Sequence, residues 1–261
     1  MSARVYPQLT SGALSQFPLK KRLQQRTVIN NLADGSSVKL SDVTGGSTGW
    51  QLQYAGLTDA EMGSLQQFFE SCEGSLNGFT FVDPAGNLLA WSEDLTNSVW
   101  QAGPLLSVTG GVGDPLGGKQ GFNLANSGAS AQGISQTLNA PGGYVYTLSV
   151  YAQASASASV TLSIGNQGKS FAIGSSWTRV SFTASGDPTA SSIAFAIQCA
   201  PGGIAIFGPQ VEAQPAASAY KRSSTGGVYQ NARFQDDVLP CTSTAPNQNS
   251  VTVNIFYANH L

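Results

Sequence analysis

Charge is scarce in this chain, and histidine is almost missing. Of 261 residues, 12 are Lys or Arg, 14 are Asp or Glu, and one is His, His260 beside the C-terminus. With a net charge of −2, no basic stripe is available for a nucleic-acid groove. His-dependent triads, acid–base relays and metal sites lack their usual member. The three cysteines, Cys72, Cys199 and Cys241, are widely spaced and odd in number. They form neither a zinc pattern nor a disulfide framework and are expected as buried free thiols. No apolar run approaches the roughly eighteen residues that span a bilayer. The opening Met1-Ser2-Ala3-Arg4 lacks the apolar core of a secretory signal, so export by that route is not expected. Glycine pairs sit in turns without a following helix, which removes a phosphate loop.

What charge there is divides unevenly. Residues 1–87 and 226–261 hold sixteen of the charged side chains, whereas the longer stretch 88–225 holds ten. The stretch 88–225 is rich in Ala, Ser, Gly and Gln. Phe79 to Asn87 reads as a strand entering an Asp-Pro turn, and Val228 to Val238 reads as the strand that should follow it. One β domain (1–87 and 226–261) interrupted by a second (88–225) is the expected organisation. Each part is long enough for its own core, and an inserted domain needs its ends close together.

In the interrupted part, Ala33-Asp34-Gly35-Ser36 lies between two strand-like runs and makes a hairpin turn. Thr48, Trp50, Leu52 and Tyr54 alternate with small or polar residues, as a half-buried strand does, and Val251, Val253, Ile255 and Tyr257 do the same. Thr58-Asp59-Ala60-Glu61 has the form of a capping box. Met62, Leu65, Phe68, Phe69 and Cys72 follow at helical spacing, and Gly74 ends the helix.

These residues, with Phe79-Thr80-Phe81, Asp83-Pro84, Arg233-Phe234 and Asp236-Asp237, resemble the tail-tube-like domain of phage distal-tail and minor tail-tip proteins. The resemblance covers most of residues 17–87 and 227–258. It implies a β-sandwich with one flanking helix, assembly into a six-fold ring beneath the tail tube, contact with tail tube and hub proteins, and a place at the virion's tail tip.

Residues 88–225 carry strand signals throughout. Tyr144, Tyr146, Leu148 and Val150 alternate with their neighbours, as do Val160, Leu162 and Ile164, then Ile193, Phe195 and Ile197, then Ile204 and Ile206. Turns such as Pro141-Gly142-Gly143 and Pro201-Gly202-Gly203 separate them, which indicates an antiparallel sandwich or jelly roll. The opening Leu88 to Leu95 with Trp100, the run Tyr146 to Ala152, Trp177 to Val180, and Phe207 to Glu212 followed by Ala219-Tyr220 resemble carbohydrate-binding-module-like jelly rolls of phage tail proteins.

Three groups of side chains are candidate sites. If Tyr146, Leu148 and Val150 point inward, then Tyr151 and Gln153 point out; the same parity argument turns Gln198 and Phe207 outward. Tyr151, Gln153, Gln198 and Phe207 would form a sugar platform with amides at its edge, against the plainer reading of a solvated face. Trp100 and Trp177 are assigned to the core. Glu93, Asp94 and Glu212 lie at the two ends of the insert and would suit Ca²⁺ if they converged, the plainer reading being separate surface acids. Lys20, Lys21 and Arg22 form the one basic cluster, usually a solvated run. In a ring they would meet Asp34, Asp42 or Asp59 of a neighbour. A glycosidase needs two carboxylates across a cleft, but the insert's acids crowd its ends or sit in turns such as Asp114-Pro115 and Asp187-Pro188. An enzyme is not expected. The reading is a ring-forming virion protein whose insert projects outward to contact host-surface glycans; the alternative is a free carbohydrate-binding protein without an assembly role.

Overall fold

A computed structural model describes residues 4–258; His260 and the opening Met1-Ser2-Ala3 lie outside the described residues. The chain begins with β1 (Leu19–Asn31), β2 (Ser37–Leu57), α1 (Asp59–Ser71) and β3 (Phe79–Val82). Ten strands follow: β4 (Gln101–Ala102), β5 (Leu106–Val112), β6 (Gly121–Asn126), β7 (Gln132–Leu138), β8 (Tyr146–Gln153), β9 (Ala158–Ile164), β10 (Gln167–Ile173), β11 (Thr178–Ala184), β12 (Ile193–Cys199) and β13 (Gly202–Glu212). It closes with β14 (Val228–Phe234), β15 (Cys241–Ala245) and β16 (Gln248–Ala258). Among the described residues the protein is all-β with a single flanking helix.

Two compact units emerge. One takes the residues up to Thr10, Ser15–Phe81 and everything from Tyr229 onward; the other takes Ser11–Leu14 and Val82–Val228. The second unit is therefore wider at both ends than the stretch 88–225. The reason is hydrogen bonding: Asp83 N donates to Gly227 O at 2.8 Å, and Asn87 is tied to β13 through its side chain.

In the first unit six strands join one continuous sheet in the order β1-β2-β16-β14-β3, with β15 on β16. Register places Leu52 opposite Val253, Trp50 opposite Ile255 and Tyr54 opposite Val251. All six are buried, so the two alternating runs meet side by side on one face. The helix starts on a complete capping box: Thr58 Oγ1 accepts from Glu61 N, and the Glu61 carboxylate accepts from Thr58 N. Its Met62, Leu65 and Cys72 are buried. Phe68 and Phe69 are half-buried and meet Phe234 at ring-centroid distances of 5.8 and 5.0 Å, with Phe79 at 5.0 Å from Phe234. All of β3 is buried, not only Phe79 and Phe81, because this strand is covered on both faces.

The second unit is an antiparallel jelly-roll β-sandwich of two five-stranded sheets, β10-β9-β12-β7-β4 and β11-β8-β13-β6-β5. Ile134, Leu162, Ile164, Phe195 and Ile197 bury from the first sheet; Leu124, Tyr146, Leu148, Val150 and Ile206 bury from the second. Tyr146 and Phe195 join the sheets edge-to-face at 5.3 Å. The ends of the unit are adjacent, with Leu88 N donating to Val211 O and Ser92 N to Ser223 O, both at 2.9 Å. Trp100 is buried, with Nε1 on Trp91 O, whereas Trp177 is only half-buried. Cys72 and Cys199 are buried free thiols; Cys241 is half-buried, since its strand β15 lies at the rim of the sheet.

Candidate functional site

Parity along β8 and β13 determines which residues leave the sandwich core, but not what covers them. Tyr151 stands between two cross-strand neighbours, Arg179 on β11 and Phe207 on β13. The Arg179 guanidinium lies over its ring at 5.5 Å, and the Phe207 ring is 6.1 Å away on the other side. One face of Tyr151 is thus covered by a cation, and Phe207 flanks the ring at a tilt.

Phe207 is not a platform residue. It is 2% exposed, because the chain after β13 turns back over this face and seats Tyr220 against it at 5.1 Å. That return is possible because Gly208, at φ +61°, forms part of a bulge; a Cβ there would meet the Tyr220 ring at 2.9 Å. Gln153 remains half-exposed beside Tyr151, but Gln198 belongs to the other sheet, on β12 between β7 and β9. The four residues therefore do not form one patch.

Arg179 is the residue that the sequence reading passed over. Its Nη1 donates to Ser218 O at 2.6 Å and its Nη2 to Ser149 Oγ at 2.9 Å, while its buried Nε has no partner. A lone Arg after Trp177 in a segment this poor in charge was the available signal.

The three acids do not converge either. Glu93 pairs with Arg222 at 3.1 Å and accepts from Tyr220 OH at 3.2 Å. Asp94 accepts from Thr96 N and Oγ1, closing a local turn. Glu212 is 1% exposed and accepts from Ser218 N at 2.8 Å, Ser218 Oγ, Gln210 Nε2 at 2.8 Å and Lys221 Nζ at 3.4 Å. Each carboxylate is satisfied by its own partners. No group of three potential ligands for a metal exists among the described residues.

The first unit offers two features that pattern-reading underweighted. The first is the β1–β2 hairpin. Leu32 N donates to Ser36 O, Ser36 N to Asp34 Oδ1, and Gly35 takes φ +83°, the turn expected from Ala33-Asp34-Gly35-Ser36. From Thr27 to Ser41 the two strands pair only with each other, and β1 is the sheet's edge. Leu23 is 70% exposed and Leu40 50%, with Ile29, Leu32 and Val38 also in solvent.

The basic cluster divides across this hairpin. Lys21 sits over the Trp50 ring at 5.7 Å, while Lys20 and Arg22 point to the opposite face. The acids named as its partners are engaged within the chain. Asp34 accepts from Ser36, Asp42 from Thr44 and from Arg26 at 2.8 Å, and Asp59 from Asn249 and Asn247.

The second feature is a groove of about 660 Å³ beside Gly49 and Phe256, with Trp50 and Phe234 also in its lining. Gly49 forms its floor on β2, between Arg22 of β1 and Phe256 of β16. Lys20 and Arg22 flank it on one side and Arg233 of β14 on the other. Gln51 and Asn254 lie across the middle, joined by Gln51 Nε2 to Asn254 Oδ1 at 3.2 Å. Arg233 Nη1 donates to the Leu76 carbonyl.

No family model matches the chain, and no curated protein matches it. Among solved structures, the enzymatically active domain of bacteriophage CBA120 tailspike protein 4 aligns at 19% identity over 51% of this chain and 22% of that one, with a TM-score of 0.38. The CBM22-1 xylan-binding domain from Paenibacillus barcinonensis aligns at 16% identity over 54% and 98%, with a TM-score of 0.39. The C-terminal family 22 carbohydrate-binding module of Clostridium thermocellum aligns at 14% over 52% and 99%, with a TM-score of 0.43. The alignment spans less than a quarter of the tailspike's own length.

Proposed function

We propose that this chain is a structural subunit of a phage tail tip that closes into a ring through its β1–β2 hairpin, and that its sandwich unit contacts glycans of the host surface. The hairpin carries the reading. A two-stranded ribbon is marginal in water by itself, and a free strand edge invites another strand. Five large apolar side chains on such a ribbon, from Leu23 to Leu40, are stabilised only when something covers them. A second copy of the chain supplies a cover repeatedly, and a head-to-tail contact of that kind generates a ring when its rotation closes. The order of motifs from Leu57 to Asp83 and from Arg233 to Asp237 supports a tail-tip subunit over a free binding protein.

The test is the mass of the purified chain by light scattering, with electron microscopy of the particles, alone and with the tail tube protein. Six-fold rings are expected, and Leu23→Lys with Leu40→Lys should release monomers whose unfolding is otherwise unchanged. A wild-type chain that stays monomeric in both settings overturns the ring. Glycan contact is read separately, by binding of the ring to whole host cells before and after enzymatic removal of surface polysaccharide. Equal binding before and after removes that role.

A further inference from the structure

We infer that the groove over Gly49 in the first unit is a binding site for an acidic saccharide, a sugar chain bearing carboxylates or phosphates. Its volume of about 660 Å³ lies in the range of small-ligand sites. Lys20, Arg22 and Arg233 make no ion pair among the described residues. Arg22 and Arg233 stand on β1 and β14, three strand spacings apart, or about 14 Å. That separation suits charges repeated along a chain better than one small anion.

Between the cations lie groups suited to hydroxyls. Gln51, Asn254 and Gln235 offer both donors and acceptors, and Phe256, 37% exposed, offers an apolar ring to sugar C–H faces. The nearby acids Asp236 and Asp237 are already accepting from Asn254 Nδ2 and from Ser75 N and Oγ. Gly49 is the most telling residue. It has no positive φ, and a Cβ there would meet only Ile255 O at an ordinary 3.7 Å. Neither backbone strain nor packing requires glycine at this central-strand position, where it weakens the strand. What its missing side chain provides is close approach of a ligand to the groove floor.

This site is complete within one unit of one chain and does not depend on ring assembly. The experiment is calorimetric titration of the full chain at low salt with an oligouronate, a polyol-phosphate oligomer, a neutral hexasaccharide and oligoglutamate. Binding of one or both acidic saccharides at about millimolar Kd or tighter is expected, with the neutral sugar roughly tenfold weaker. The tighter of the two acids identifies the source of the charge. Lys20→Gln with Arg22→Gln should lose about tenfold in affinity without a change in melting temperature. Gly49→Ala should weaken binding while leaving melting unchanged or higher, an outcome that a purely structural glycine would not give. Absence of binding by both acidic saccharides, or binding indifferent to these substitutions, overturns the site. Oligoglutamate binding as tightly as the sugars overturns the saccharide assignment and makes the groove a surface for an acidic peptide.

Discussion

The Arg179 guanidinium lies 5.5 Å over the ring of Tyr151, and this contact decides the character of the sandwich's outer face. A ring with a cation already over it and Phe207 tilted beside it is a poor platform for stacking a sugar. The pair is architectural: Arg179 also fastens the returning chain at Ser218 O and the strand at Ser149 Oγ.

Arg179→Met should therefore destabilise the second unit by about 2 kcal/mol, from two lost hydrogen bonds and the cation–ring contact, offset by relief of the unpartnered Nε. Urea unfolding of the variant checks this. A neutral result would mean that Glu212, Gln210 and the contacts of Tyr220 hold the segment from Ser218 to Tyr220 without Arg179.

Glu212 is the second anchor of that segment. Replacing a buried carboxylate that accepts from Ser218, Gln210 and Lys221 with Ala should cost about 1–3 kcal/mol, because Ser218 N is left without its acceptor and the bonds from Gln210 and Lys221 are lost. Because Glu93, Asp94 and Glu212 are separately satisfied, adding Ca²⁺ or a chelator should leave the melting temperature unchanged. A calcium-dependent rise would show that the carboxylates regroup around the ion.

Period-two alternation was legible wherever one face packs on a core: Trp50 with Leu52, Val251 with Ile255, and Tyr146 with Val150 all bury as read. The Thr58–Glu61 box and the Asp34-Gly35 turn were equally legible, since both are local. Alternation could not assign Gln198 to its sheet, because β12 and β13 are consecutive in sequence but pair in different sheets. It turned Phe207 outward correctly by parity, yet could not foresee that Gly208 lets the chain return and bury it. The groove was invisible for the same reason: Arg22, Gly49, Phe256 and Arg233 come from four strands, and only their pairing brings them together.

Acid should loosen the first unit in a definite window. The Thr10 hydroxyl, donating at 2.6 Å, holds the Glu61 carboxyl below the usual glutamate range, with Thr58 contributing. The Asn249 side chain does the same for Asp59, and the Ser75 hydroxyl for Asp237. A native value below the unfolded one gives stability that is fully present above the ordinary value of 4.5 for Glu and 3.8 for Asp. It is lost as pH falls through the lowered native values. Unfolding midpoints of the first unit should be level above about pH 5 and fall below it, and Glu61→Gln should flatten part of that slope. Midpoints that stay constant down to about pH 3 would contradict the assignment. At neutral pH, Thr58→Ala should cost about 1 kcal/mol as a lost cap.

Asn87 lies in the opening segment of the second unit, and its removal should be felt there. Its Nδ2 donates to Pro209 O at 2.9 Å and Lys221 O at 3.3 Å, while its Oδ1 accepts from Leu89 N and Val211 N, both at 3.1 Å. One buried amide thus joins the entry of the unit to its last strand. Asn87→Ala orphans two buried N–H donors and should cost about 2–4 kcal/mol. Asn87→Asp keeps the acceptor but loses the amide donor and sets a negative charge against two carbonyls, so it should be no better tolerated. The same reasoning orders truncations. A fragment of residues 82–228 retains Asn87 and the Asp83–Gly227 pairing, whereas one of 88–225 lacks both. The longer fragment should unfold at the higher urea midpoint, each being expressed alone and followed by circular dichroism. Equal midpoints would return the boundary to residue 88 and make Asn87 a linker residue.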